Sequence, residues 1–169
     1  MTARSQQMAE RIVVREGGYW DDPGAGPTNF GIVQSTLNRL RSRPRWVGLP
    51  ANVKDLKREQ AVEIIRVEYV EAQKAHLMLP MIGEVIADTV VMSWDDGVRI
   101  LQKLLGFEGK AIDGIVGKNT IGRSDQIPAF LDKTIAGLIV REFLDDRKGK
   151  QFVGGWSNRL HKVLEGEYV

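Results

Sequence analysis

The chain has 169 residues, 43% of them apolar and 27% charged; this suffices for one compact domain, or one with two lobes, and argues against disorder. It has no cysteine, which excludes disulfides and thiolate metal sites, and His76 and His161 stand far apart without ligand-like spacing, so neither a metal nor another cofactor is indicated. Lys and Arg number 24 against 22 Asp and Glu, a net charge of +2 that is too mild and too scattered for a nucleic-acid binder.

The first residues, MTARSQQMAERIVVREGG, lack the apolar core and small-residue cleavage site of a signal peptide. Synthesis as a soluble cytoplasmic chain is expected. Met8, Ala9, Ile12 and Val13 recur at helical spacing and predict an amphipathic helix over 5–16. Gly17 and Gly18 stop it, since glycine readily takes a left-handed cap. Residues 19–32 hold two prolines, the glycines Gly24, Gly26 and Gly31, and the pair Asp21–Asp22, which is the composition of a loop or short hairpin. A helix resumes near Val33 and ends before Pro44. The run Arg39, Arg41, Arg43, Arg45 reads either as a solvated helix end or as a patch attracted to an anionic polymer such as a bacterial wall.

Ala61, Ile64, Ile65, Glu68 and Tyr69 predict a helix over 58–74. Pro80 starts another that reaches residue 91, and a further one covers 97–105. A connector containing DGIVG fills 106–117, the longest helical pattern covers 127–147, and Gly154-Gly155-Trp156 opens a last short helix to 164. Seven or so helices around one short irregular segment predict a mainly α fold. No stretch approaches the roughly 20 apolar residues of a membrane span, so stable insertion is not expected.

The segment EGGYWDDPGAGPTNFGI, residues 16–32, carries the chemistry. Glu16 closes a helix, where the negative end of the macrodipole disfavours a carboxylate. Shielding by Tyr19 or Trp20 adds to this, and a carboxyl kept protonated is what a glycosidase acid requires. The alternative is a solvated glutamate at a helix end. Asp21 and Asp22 read either as turn residues bonding nearby amides or as the second polar group of a glycosidase. Thr28 and Asn29 offer a hydroxyl and an amide that position a water or a sugar, or that hold a hairpin together.

EGGY, a glycine-rich loop with a DP, and TNFGI together resemble the signature of glycoside hydrolase family 108, the N-acetylmuramidases of phage endolysins and of bacterial proteins that assist secretion through the wall. The resemblance implies a lysozyme-like two-lobed fold and cleavage between N-acetylmuramic acid and N-acetylglucosamine. It makes Glu16 the catalytic acid. The layout is also similar to phage-type lysozymes, which makes Asp22 and Thr28 candidates for holding the attacking water, with Tyr19 and Asn29 as substrate contacts. The loop between Tyr19 and Thr28 is shorter than the usual family version.

Downstream, LQKLLGFEGKAIDGIVGKNT resembles the family's C-terminal peptidoglycan-domain pattern, and GGWSNR also matches, with Trp156 a packing residue. The expected division is a catalytic lobe over 1–90 and a peptidoglycan-type lobe over 91–169. Read physically, Asp113-Gly114 makes a tight turn, Gly117 permits an unusual backbone angle, and Asn119 or Thr120 caps the next helix. ADTVVMSW keeps the family's Asp88 but carries Met92 and Trp94 where asparagine and glycine are usual. Trp94 either stacks on a sugar or fills a core gap. The implied partner is the peptidoglycan glycan strand, met by a monomer released through a holin in phage lysis. The alternatives are a secretion-associated bacterial muramidase and a non-catalytic wall-binding protein.

Overall fold

The computed structural model describes residues 2–22, 26–147 and 153–167, with the backbone alone at Asp22. Eight α-helices and one small sheet lie among them, so the mainly α expectation holds. The chain divides after Val67 into two compact units.

In the first unit, α1 (Ala3–Glu16) starts at Thr2, whose hydroxyl accepts the Ser5 N–H at 3.2 Å. Met8, Ala9, Ile12 and Val13 form its buried stripe, as their spacing predicts, and α1 packs on α3 (Arg58–Ile64). Gly17 ends α1 at φ 72°, ψ −157°, a conformation open in practice only to glycine. Strands β1 (Trp20–Asp22), β2 (Gly26–Asn29) and β3 (Ile32–Val33) then form an antiparallel sheet in chain order. Helix α2 (Gln34–Arg41) follows at once and buries Leu37 and Leu40. The Gln60 side chain accepts the Lys57 N–H at 3.0 Å and so closes the start of α3. The helix predicted over 58–74 changes geometry midway, becoming π-helical over Ile65–Glu71.

The basic run is exposed at Arg39, Arg41, Arg43 and Arg45. Arg45 meets Glu63 at 2.8 Å, and Arg66 grips the same carboxylate through Nε at 2.9 Å. Burial alone pushes the Glu63 carboxyl up, but the hydrogen bonds from Arg66 and Arg45 outweigh it and hold the group below its ordinary value.

The second unit is built around α4 (Pro80–Ser93), which packs on α5 (Asp96–Leu104), α7 (Asp132–Asp145) and α8 (Val153–Glu165). Every residue from Ile82 to Val90 is buried, the mark of a helix surrounded by others. Its free N-terminal amides are capped from a distance: the Asp132 carboxylate accepts Met81 N–H at 2.8 Å and Ile82 N–H at 2.9 Å. Helix α4 belongs with the helices after it, because they are what cover its apolar surface.

Three local expectations also change. The long helix predicted over 127–147 is preceded by an extended Pro128 and a 3₁₀ turn, Ala129–Leu131. Helix α6 (Lys118–Ser124) opens at Gly117, and no side chain caps it; Thr120 is buried, with its hydroxyl on the Ile115 carbonyl at 3.4 Å. Gly117 has an ordinary φ of −85°, whereas Gly114 has φ 75°, and a Cβ there would lie 2.7 Å from Asp95 Cβ. Buried Gln102 ties this connector together: its amide donates to Asp113 at 2.8 Å and Ile115 at 3.1 Å, and its oxygen accepts Gly114 N–H at 2.9 Å. The hydrogen bond from Gln102, followed by that from the Ile115 amide, holds the Asp113 carboxyl below its ordinary value.

Candidate active site

Glu16 is the last residue of α1 and is half-buried. Two glycines later the chain enters β1, and its return through β2 and β3 brings the hairpin turn back onto the Glu16 side chain. Asn29 pairs with Ile32, so Phe30 and Gly31 form a two-residue loop. Both have positive φ, 52° and 77°, as the type I′ geometry that suits strand twist demands. A Cβ on Gly31 would lie 2.6 Å from Glu16 Cγ, 2.8 Å from Cδ and 3.0 Å from Oε2. The absent side chain is the space the Glu16 carboxyl occupies.

Gly31→Ala therefore tests the seat of Glu16. The variant is strained by its φ and must also push the carboxyl group aside, so wall-digesting activity is expected to fall by about 10²-fold, the size of a misplacement near 1 Å. Circular dichroism should retain the helical signal. Undiminished activity would show that the position of Glu16 is immaterial.

The sheet has two distinct faces, because residues directly paired across antiparallel strands share a side. Trp20, Thr28 and Val33 form one row. Asn29 and Ile32 belong to the other, inner face, where Ile32 is fully buried. Thr28 is partly exposed and three residues from Gly31, so their backbones are at most about 10 Å apart. Asp22 has its backbone opposite Gly26, and its side chain lies outside the described residues.

Asn29 fits the second of its two sequence readings, that of holding the hairpin together. Its side chain is only 4% exposed, and its Nδ2 donates to the carbonyls of Val53 at 3.0 Å, Leu56 at 3.3 Å and Lys54 at 3.4 Å. The amide clips the hairpin onto the 3₁₀ turn Val53–Asp55. Tyr19 is 42% exposed, and Lys54 Nζ stands 5.6 Å from its ring centre. Among the described residues no group of His, Asp and Glu fit to hold a metal is found.

The geometry is that of a carboxyl fixed at a helix end beside a short polar hairpin. A family model for glycosyl hydrolase 108 matches residues 9–93, just over half of the chain, and spans this whole arrangement. The chain belongs to glycosyl hydrolase family 108. It is a glycoside hydrolase, and membership of family 108 supports a role in peptidoglycan degradation. The solved structure of Brucella abortus SagA is similar, with a TM-score of 0.79 at 25% identity over 96% of this chain and 92% of that chain. The mainly α, lysozyme-like fold is thereby the one anticipated. Comparison with curated proteins returns no match.

Trp94 lies one residue beyond the family 108 match and caps α4. Its φ of 52° and ψ of −76° are costly for a bulky residue. The ring is 51% exposed and rests edge-on against Tyr69, with centroids 5.7 Å apart. It does not fill a core gap. Asp88 is fully buried and accepts Arg159 Nε at 2.7 Å, so it holds α8 to α4. Sequence reasoning missed Gly31 as the seat of Glu16 and Arg159 as the partner of Asp88. The two-residue spacing between Asn29 and Ile32 was a usable signal for the first; the second had none, since 71 residues separate the pair.

Proposed function

We propose that this family 108 enzyme is an N-acetylmuramidase that cleaves peptidoglycan between N-acetylmuramic acid and N-acetylglucosamine. The observation that carries this reading is the Glu16 carboxyl, held at the end of α1 in the space left by Gly31. A carboxyl anchored in this way delivers its proton to the glycosidic oxygen as the bond to C1 breaks. Water then attacks the sugar from the opposite face. Thr28 orients that water through its hydroxyl, and Asp22 accepts its proton. Tyr19 and Trp94 contact the sugars, and the backbone strain accepted at Trp94 supports a functional reason for an exposed indole there. Residues 91–169 form the peptidoglycan-type lobe of the same enzyme.

The biological use we propose is host-wall lysis by a phage-type endolysin, a monomer made in the cytoplasm and released through a holin. A bacterial wall-opening enzyme is the second reading, favoured by the likeness to a Brucella abortus chain along nearly the whole length. Mass spectrometry of digested muropeptides tests the chemistry. Products should carry reducing-end N-acetylmuramic acid. Reducing-end N-acetylglucosamine would make the enzyme a glucosaminidase, and 1,6-anhydro products would make it a lytic transglycosylase.

A further inference from the structure

We infer that Trp20 is a stacking platform for one pyranose ring of the glycan, beside Thr28; this rests on the muramidase reading. Trp20 stands in β1 directly opposite Thr28 and is 63% exposed. Single exposed apolar side chains are ordinary on protein surfaces, so exposure alone carries little. Three further observations give it meaning.

The first is the face. Trp20 and Thr28 share a row whose opposite side is closed by Asn29 and Ile32, so the indole belongs to the outer surface of the sheet. The second is proximity. Directly paired residues have Cβ atoms about 4.5–5.5 Å apart, which brings the hydroxyls of a ring on the indole within reach of the Thr28 side chain. The third is the lack of cover. Among the described residues no ring or cation lies on Trp20, whereas neighbouring Tyr19 is met by Lys54.

The chemistry fits a sugar. One face of a pyranose presents axial C–H groups that are apolar and weakly positive, and an indole offers a flat apolar area with a negative face. The hydroxyls around the ring edge stay free for Thr28 and for water. Glu16 precedes Trp20 by only four residues and is held against the turn that follows Thr28. A ring held on Trp20 is thereby set in register with the acid, and the contact positions substrate without taking part in proton transfer.

The test uses the full chain and soluble, uncrosslinked GlcNAc–MurNAc strands of defined length. Trp20→Ala should raise KM about tenfold and leave kcat within about twofold, the pattern of a contact made equally in ground and transition states. Trp20→Tyr should recover much of the affinity, and both variants should melt with the wild type. An active wild type with unchanged KM in Trp20→Ala overturns the inference and leaves the muramidase reading standing. A lowered melting temperature with no recovery in Trp20→Tyr makes the residue structural and also overturns it. A wild type inert on these strands removes both.

Discussion

Glu16→Gln is expected to lower turnover on peptidoglycan by about 10²–10⁴-fold, the usual contribution of a positioned general acid. Glutamine keeps the size of the side chain and fits the same space beside Gly31, but it has no proton to transfer to the leaving oxygen. The helical signal and melting temperature should stay close to wild type, because Glu16 is only half-buried and follows the apolar stripe of α1 rather than belonging to it. Binding of glycan fragments should persist. Zymography with equal amounts of folded protein reads the result directly, and digestion at a near wild-type rate would remove Glu16 from the chemistry.

Arg159→Met is expected to cost about 3–5 kcal/mol of stability, the penalty for removing one partner of a buried ion pair. Asp88 is fully buried in α4, and the guanidinium of Arg159 in α8 bonds its carboxylate through Nε at 2.7 Å and through a second nitrogen. Methionine matches much of the arginine stem but leaves the charge without this partner. Set against the roughly 5–15 kcal/mol by which a domain is stable, the loss brings the variant near its threshold. Asp88→Leu combined with Arg159→Met should recover most of it, since an apolar pair removes the buried charge altogether. Denaturant unfolding measures both. A single variant within about 1 kcal/mol of wild type would show that the pair is solvated like a surface ion pair.

Local features of the sequence were enough for much of the molecule. The apolar spacing of Met8, Ala9, Ile12 and Val13 specified both the helix and its buried face, because a 3.6-residue period admits one side only. Gly17 marked where α1 had to stop, and the motif from Glu16 to Ile32 pointed to the segment that carries the family match. These properties depend on residues within a turn or two of one another.

What involved partners far along the chain was decided by tertiary structure. Asn29 offers the same amide to a sugar or to a backbone, and only the approach of residues 53–56 makes it a clip. Asp132 is an ordinary first-turn acid of α7 until the start of α4 arrives and presents two unsatisfied amides. Helix α4 is buried on every side from Ile82 to Val90, and nothing in its own pattern says which helices will cover it. Trp94 was ambiguous between core and surface because an indole suits both. Its exposure, and the glycine-like backbone on which it stands, follow from how α4 ends against Tyr69. A sequence determines which surfaces must be buried and where helices stop, whereas the free energy of a buried polar or aromatic group depends on neighbours that folding alone brings within a few ångströms.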